Sequence, residues 1–113
     1  MVSRRQRRTG GLISLIPFFH RPPFERYIKK LVEKPLKNLF QEAVMDILTN
    51  PYCGQIKVGD LQGFWGYDIQ YKGINYEIAY VIIENDDGSP QSVVFYMAGT
   101  RENFWNEIKR YLR

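Results

Sequence analysis

The residues best suited to chemistry in this chain lie on two β-rich runs, residues 61–71 and 74–83, which flank the pair Lys72-Gly73. Gly73 allows a positive φ, so this short connection predicts a β-hairpin. The two runs are rich in aromatic and charged side chains. Aromatic rings can stack on unpaired bases, and cations can neutralise phosphates. A sheet of this composition in a small basic protein indicates a surface that can hold a nucleic acid.

Length and charge set the broad class of the protein. With 113 residues the chain is expected to form one domain around one core. A hydrophobic fraction of 44% and an aromatic fraction of 15% exclude a wholly disordered chain. Sixteen Lys and Arg residues against twelve Asp and Glu residues give a net charge of +4. This charge suits a polyanionic partner without identifying one.

Cysteine and histidine are scarce. Cys53 is the single cysteine, so the chain cannot form an intramolecular disulfide, and a reducing cytoplasm is the expected compartment. One cysteine and one histidine, His20, cannot supply a zinc site of the usual composition. The sequence also contains no P-loop and no glycine-rich dinucleotide motif. We therefore expect neither a metal nor a cofactor.

The amino end combines arginines with an apolar run. Four arginines within residues 4–8 precede the apolar residues 12–19, an arrangement that superficially resembles a signal peptide. The apolar run is too short to span a bilayer, and no small-x-small cleavage site follows it. We expect residues 1–11 to form a disordered basic arm, which either touches phosphates or is simply solvated. Residues 12–113 are expected to form the domain, with no membrane association.

The spacing of apolar residues predicts the elements that position the hairpin. Residues 12–19 are expected to form a first strand. Phe24, Tyr27, Ile28 and Leu31 have the spacing of one helical stripe. Residues 36–48 repeat this periodicity, with Pro35 suited to the first turn of a second helix that ends at Asn50-Pro51. A helical hairpin is predicted.

The last third of the chain predicts one more strand and one more helix. A polar turn at residues 84–90 leads into a strand over residues 92–98, and residues 101–112 favour a short final helix. The expected fold is therefore α+β, in the order β-α-α-β-β-β-α. A helical hairpin packs on a twisted, mainly antiparallel four-stranded sheet, and a short helix ends the chain.

Four segments of the chain match a known pattern in order and spacing. Phe24–Leu31 is similar to F-x-K-x-x-K-K-L, and Leu61–Trp65 to L-x-G-x-W. Tyr76–Tyr80 stands where Y-R-L-x-Y is typical, and Gly99–Trp105 is similar to G-x-H/R-E-N-F-Y. On these segments the chain resembles the RelE/ParE superfamily of toxins from bacterial type II toxin–antitoxin systems. The resemblance covers roughly residues 12–113 and leaves the arginine-rich arm outside it.

The resemblance implies a chemistry and a set of residues. Ribonucleolytic members cut messenger RNA, usually on the ribosome, without metal or cofactor. The 2′-hydroxyl attacks the adjacent phosphate, which requires a proton acceptor, a proton donor and cations. Arg101 matches the cationic or histidine position of the family, and Lys57 is a candidate second phosphate contact. The candidate substrate-binding residues are Tyr67, Tyr71, Lys72 and Trp105, although such aromatics are more often core or surface residues.

Three positions depart from the ribonucleolytic pattern. Asp68 and Gln70 stand where the sheet face of these relatives is basic, and Glu77 stands where they have an arginine. A carboxylate repels phosphate, but Glu77 or Asp68 can act as a general base if pKa and geometry allow. In the other interpretation, Asp68 and Glu77 form cross-strand ion pairs with Lys57 or Lys72, or face solvent.

Two classes of function follow from the resemblance. In the first, the chain is a metal-independent endoribonuclease with Arg101, Lys57 and Glu77 or Asp68 as active groups, and its partners are messenger RNA and the ribosome. In the second it is a non-enzymatic, ParE-like toxin that inhibits DNA gyrase, or a binding protein whose activity has decayed. Both classes imply a cognate antitoxin that covers the basic face.

Overall fold

The computed structural model describes residues 15–112, which form a sheet with helices on both of its faces. The elements in chain order are β1 (Phe18–His20), α1 (Pro22–Lys30), α2 (Lys34–Thr49), β2 (Gln55–Ile56), β3 (Phe64–Tyr71), β4 (Ile74–Glu84), β5 (Pro90–Thr100) and α3 (Phe104–Leu112). Two short 3₁₀ turns, Pro51–Cys53 and Gly59–Leu61, flank β2.

The described part of the sheet has five strands in the order β1-β5-β4-β3-β2. β1 runs parallel to β5, and the other neighbours are antiparallel. The β3–β4 hairpin turns at Lys72 and Gly73, whose φ values of 50° and 77° are those of a tight left-handed turn. The long strand β4 lies at the centre of this sheet, between β5 and β3.

The helical hairpin covers one face of the sheet. Both helices begin with a proline in the first turn, where the missing N–H has no cost. Leu36, Phe40, Ala43 and Ile47 follow the helical period along α2 and are buried. They pack with Tyr76, Ile78, Tyr80, Val93 and Phe95 from the sheet to form the larger core.

The short helix α3 packs on the opposite face. Phe104 and Ile108 of α3 are buried against Phe64, Ala79 and Met97. Alternate residues of a strand point to opposite faces, so Ala79 belongs to this smaller core while Ile78 and Tyr80 belong to the larger one. Because α3 is short, it leaves part of this face of the sheet open to polar residues.

The α+β fold class predicted from the sequence is confirmed, with three differences in detail. β2 adds a two-residue edge strand to the four that were expected. The first strand begins at Phe18 rather than at residue 12, and residues 12–14 lie outside the described residues, as does the basic arm. The last helix begins at Phe104, because residues 101–103 form a turn in which Asn103 has a φ of 60°. Within residues 15–112, no helix has the length and apolar character needed to cross a bilayer.

Candidate functional site

A buried carboxylate lies at the centre of the polar part of the α3-bearing face. Glu77, on β4, is only 1% exposed. It stands directly opposite Asp68 on β3 and Gly99 on β5. The position is set by strand alternation, since Glu77 is two residues from Ala79, which points to the same face.

Two cations approach this carboxylate from different elements. The Nζ atom of Lys57 lies 3.5 Å from Glu77 Oε2, and the Nε atom of Arg101 lies 3.7 Å from Glu77 Oε1. The Nη1 atom of Arg101 also lies 3.7 Å from Oδ2 of Asp68. Lys57 further sits 4.7 Å from the centroid of the Trp105 ring, in cation–π contact. We call Lys57, Asp68, Glu77, Arg101 and Trp105 the carboxylate–cation cluster.

Gly66 makes room for this cluster. A Cβ atom at position 66 would collide with Glu77 Oε2 and would lie 3.0 Å from Lys57 Cε and 3.1 Å from Trp105 Cζ2. Any side chain at this position of β3 would therefore displace the lysine, the carboxylate or the indole. A glycine inside a strand often marks such a close approach.

Lys57 reaches the cluster because the edge strand β2 is fixed against β3. The backbone N–H of Lys57 donates to the carbonyl of Phe64 at 2.9 Å. The hydroxyl of Tyr80 donates to the carbonyl of Pro51 at 2.6 Å and accepts from the N–H of Gly54 at 3.2 Å. A buried tyrosine on a central strand therefore holds the loop that leads into β2.

Arg101 is the most solvent-accessible cation of the cluster. It lies in the turn between β5 and α3, where its backbone N–H donates to the carbonyl of Asn75 at 2.8 Å. Its side chain is 50% exposed and that of Asp68 is 45% exposed, whereas Lys57 is 21% exposed. The Arg101–Asp68 pair thus forms the outer layer, above the buried Glu77.

The electrostatics of Glu77 result from opposing effects. Burial, the largest effect, raises the pKa of the Glu77 carboxyl above its ordinary value, and the charge of Asp68 raises it further. Lys57, the Trp105 indole and Arg101 lower that pKa, but together they do not cancel the effect of burial. Glu77 is therefore a stronger base than an exposed glutamate, which is a feature of functional carboxyls in protein sites.

Two buried polar atoms of the cluster lack a hydrogen-bond partner among the described residues. They are Oε1 of Glu77 and Nε1 of Trp105. The 3.7 Å from Arg101 Nε to Oε1 is an ion-pair distance and too long for a hydrogen bond. Trp105 lowers the pKa of Glu77 through a side-chain hydrogen bond between the indole and the carboxylate, a contact that falls outside the strict geometry by which the two atoms count as unpaired. Buried donors and acceptors are rarely left unpaired.

The structure brings together the predicted catalytic residues Arg101, Lys57, Glu77 and Asp68, with Trp105 beside them. This proximity does not test their roles, which remain predictions. The other interpretation of the sequence, in which Asp68 and Glu77 pair with Lys57 or Lys72, holds for Glu77 and Lys57. Asp68 instead pairs with Arg101, and Lys72 pairs with Glu33. Ion pairing and general-base chemistry are compatible here, because the same carboxylate carries both a raised pKa and cationic neighbours.

The remaining predicted substrate-binding residues lie elsewhere. The hydroxyl of Tyr67 donates to Asp46 Oδ2 of α2 at 2.8 Å, and Tyr71 packs against the larger core, so both point to the face covered by the helical hairpin. The Nζ atom of Lys72 lies 3.4 Å from Glu33 Oε2 and 5.4 Å from the Tyr71 ring centroid. Their assignment to substrate binding stays a prediction that this geometry does not support.

Sequence reasoning missed two residues that shape the site, Gly66 and Tyr80. An isolated glycine within a strand pattern was a usable signal for Gly66. Nothing in the local sequence indicated that Tyr80 would reach across to the Pro51 carbonyl.

Within residues 15–112, no three His, Cys, Asp or Glu side chains are grouped as a metal site would require.

A match to a family model identifies the family of the chain. Residues 18–109 match the model of the ParE-like toxins of type II bacterial toxin–antitoxin systems. The chain belongs to this family. It is thus a toxin of RelE/ParE type from a type II toxin–antitoxin system. A search of curated proteins gave no match.

Solved toxin structures share the fold. The intact RelBE toxin–antitoxin complex of Escherichia coli has a TM-score of 0.57 at 14% identity, over 76% of this chain and 95% of that chain. The RelBE2 complex of Mycobacterium tuberculosis has a TM-score of 0.56 at 20% identity, over 78% and 100%. The isolated E. coli RelE toxin has a TM-score of 0.55 at 14% identity, over 87% and 99%. At these identities the likeness concerns the fold of this ParE-like toxin.

Proposed function

We propose that this ParE-like toxin is a metal-independent endoribonuclease that cuts messenger RNA on the ribosome. The observation that supports this most directly is the buried Glu77 carboxyl, with a raised pKa, held between Lys57 and Arg101. A base of raised pKa beside two cations is what RNA transphosphorylation requires.

The proposed reaction assigns one step to each group. Glu77 accepts the proton of the ribose 2′-hydroxyl as its oxygen forms a bond to phosphorus. Arg101, the exposed cation, binds the phosphate oxygens with its forked donors. Lys57 donates a proton to the 5′-oxygen as the phosphorus–oxygen bond to it breaks. The products are a 2′,3′-cyclic phosphate and a free 5′-hydroxyl.

Asp68 is proposed to hold Arg101 while the site is empty. The pair is half exposed, so it is weak and easily exchanged. An incoming phosphate competes with Asp68 for the same guanidinium. Arg101 is therefore pre-positioned at the rim of the cluster and changes partner when RNA binds.

A second candidate function is supported by the charge balance of the cluster. Lys57 and Arg101 each contact a carboxylate, so with both carboxylates ionised the four groups have no net charge. The family model is also that of ParE-like toxins. These two observations favour a non-enzymatic toxin, such as a gyrase inhibitor, in which the cluster is a structural ion-pair network.

A cognate antitoxin is the proposed partner in both cases. Two of the solved relatives are toxin–antitoxin complexes. The net charge of +4 suits an acidic partner segment.

The test is RNA cleavage by the purified toxin, with free RNA and with translating ribosomes. We expect the wild type to cleave, and Glu77→Gln and Arg101→Ala each to reduce the rate by about 10²–10⁴-fold. Arg26→Ala removes an exposed arginine from α1, on the other side of the sheet, and should leave the rate unchanged. Absence of cleavage by the folded wild type, together with DNA damage in cells that express it, would favour the second candidate.

A further inference from the structure

Positive and negative charge are segregated along this chain. Residues 21–37, which comprise α1, the turn after it and the start of α2, contain six cations and two carboxylates, a net charge of +4. Residues 38–113, which include every member of the carboxylate–cation cluster, contain six cations and ten carboxylates, a net charge of −4. The candidate site therefore lies in an acidic part of the chain, and a polyanion is attracted to the helical hairpin instead.

Three lysines stand at the turn between α1 and α2. Lys30 is the last residue of α1, Lys34 is the first residue of α2, and Lys37 follows one turn later. None of the three contacts a carboxylate among residues 15–112, whereas both cations of the carboxylate–cation cluster do. We call Lys30, Lys34 and Lys37 the hairpin lysines. Their charge is uncompensated within the described fold.

The two hairpin lysines of α2 reduce the stability of the helix that carries them. Lys34 and Lys37 lie in its first turn, which contains no acidic residue. The amino end of a helix disfavours positive charge, because the helix dipole is positive there. Like charges three residues apart are also neighbours on the helix surface and repel each other. Charges placed at a cost in stability indicate a function that requires them.

The hairpin lysines lie at the same end of the sheet as the carboxylate–cation cluster, but on the opposite face. The Nζ atom of Lys72, in the β3–β4 turn, lies 3.4 Å from Oε2 of Glu33, in the α1–α2 turn, so the two turns are neighbours. Asp68 of the cluster is three residues before Tyr71, the last residue of β3, which is about 10 Å along the strand. A ligand held at the hairpin lysines therefore leaves the cluster uncovered.

We propose that the hairpin lysines bind the phosphate backbone of folded, double-helical RNA and thereby anchor the toxin beside the strand that its cluster cuts. Residues 29–37 contain no aromatic side chain on which an unpaired base could stack. Lysine binds phosphate as a point charge, and contacts to the backbone of a duplex position a protein without reading sequence. The anchor therefore contributes affinity, and the cluster contributes the chemistry.

The choice of RNA rests on the proposed function, which places the toxin on a particle built largely of folded RNA. An acidic protein segment also carries negative charge, but peptides gain much of their affinity from apolar anchors. Within residues 29–37, Val32 is the one large apolar side chain that is exposed. Charge without an apolar groove favours a nucleic acid backbone over a peptide.

Binding of a labelled RNA duplex tests the proposal. The purified toxin is titrated with a fluorescent duplex of about 16 base pairs, at salt concentrations from about 50 to about 200 mM. Lys30→Gln/Lys34→Gln removes two of the hairpin lysines. The matched control, Lys109→Gln/Arg110→Gln, removes two cations from α3 and changes the net charge by the same amount.

We expect the hairpin variant to bind the duplex about tenfold more weakly at the lowest salt concentration. The slope of log K against log salt should fall by about two, because each phosphate contact contributes about one. The control should keep the wild-type slope. On translating ribosomes, the hairpin variant should raise KM about tenfold and leave kcat unchanged, since the anchor takes no part in the chemical step.

Urea denaturation shows whether the variants are folded. The hairpin variant should be at least as stable as the wild type, because it removes a positive charge from the first turn of α2. A poly-glutamate peptide, titrated in the same way, represents an acidic protein partner. Loss of peptide binding with unchanged RNA binding in the hairpin variant would overturn the proposal, as would equal salt slopes for the hairpin variant and its control.

The outcomes separate this inference from the proposed function. RNA cleavage by the wild type, combined with unaltered duplex binding and KM in the hairpin variant, would overturn the anchor and leave the endoribonuclease proposal standing. Duplex binding that depends on the hairpin lysines, without cleavage by the folded wild type, would support the anchor and remove the proposed function.

Discussion

At the scale of single residues, the buried carboxylate of Glu77 determines which groups the neighbouring cations contact. Arg101 and Lys57 are predicted to contact phosphate, and in the described structure both contact carboxylates. Glu77 is buried beneath them, so its charge is stabilised by cations but disfavoured by loss of solvent. The free energy of unfolding therefore depends on whether Glu77 is protonated.

Stability should fall as the pH rises through the titration range of Glu77. The pKa of Glu77 in the folded protein is above its ordinary value of 4.5, so the folded state binds this proton more tightly than the unfolded state does. The resulting stabilisation is complete below the ordinary value and is lost as the pH rises through the folded pKa. Glu77→Gln lacks this dependence, so its stability relative to wild type should increase over that range.

The measurement is urea denaturation of both proteins from about pH 4 to about pH 8. Lys57→Met is the control, because it should raise the pKa of Glu77 further rather than remove the titrating group. Lys57 lowers the pKa of Glu77, so its removal should extend the pH-dependent loss of stability to higher pH. A constant difference between wild type and Glu77→Gln across this range would contradict the direction of the shift.

At the scale of elements, the site depends on the smallest strand of the sheet. β2 has two residues, yet it carries Lys57 to the cluster. Its position is maintained by Tyr80, which bonds the Pro51 carbonyl and the Gly54 N–H, and by a glycine at 54. A Cβ atom there would lie 2.5 Å from both Gly66 O and Tyr80 Oη. The backbone at Gly54 therefore lies too close to β3 and Tyr80 to leave room for a side chain at position 54.

Tyr80→Phe should loosen β2 and destabilise the protein. The substitution removes both hydrogen bonds and leaves a buried carbonyl unpaired, so we expect a loss of about 1–3 kcal/mol in the free energy of unfolding. Urea denaturation measures the loss, and hydrogen exchange at the amides of Ile56 and Lys57 should become faster.

Tyr52→Phe is the matched control for that change. The Tyr52 hydroxyl donates to Glu84 Oε2 at 2.8 Å in an exposed position, so its removal should leave the free energy of unfolding nearly unchanged. Equal effects of the two substitutions, or unchanged exchange in β2, would show that Tyr80 does not hold the edge strand.

At the scale of the whole molecule, the sheet separates two cores of different size. The helical hairpin covers one face with the larger core, and α3 covers part of the other face with the smaller one. The carboxylate–cation cluster occupies the α3 side, since Trp105 belongs to that helix and Ala79, next but one to Glu77, belongs to that core. The larger core therefore supplies stability, and the smaller core positions the site.

This division predicts different consequences for two equivalent truncations. Ile47 of α2 and Ile108 of α3 are both fully buried, so Ile47→Ala and Ile108→Ala should each reduce the free energy of unfolding by about 2–5 kcal/mol. At a temperature where both variants remain folded, Ile108→Ala should also shift the Trp105 indole signal in the NMR spectrum and slow RNA cleavage, while Ile47→Ala should not. Equal effects on the site would contradict the division.

Much of this architecture could be predicted from local sequence. The helical period of residues 36–48, Pro35 in the first turn of that helix and the Lys72-Gly73 turn are properties of neighbouring residues, and the corresponding elements are present. A two-residue strand such as β2 has too few residues to show a period, so it could not be predicted. The beginning of α3 was misplaced because the backbone N–H of Arg101 donates to the carbonyl of Asn75, a residue on another strand, and residues 101–103 form a turn.

The sequence by itself determined the fold class, the family resemblance and the types of residue available for chemistry, because these depend on short-range periodicity and on motifs contiguous in the chain. Tertiary structure decided which of those residues meet. Strand alternation directed Tyr67 and Tyr71 to the helical side and Glu77 to the other, and the register of β2 brought Lys57 over Trp105. Burial then raised the proton affinity of Glu77, since desolvation exists only once the chain is folded.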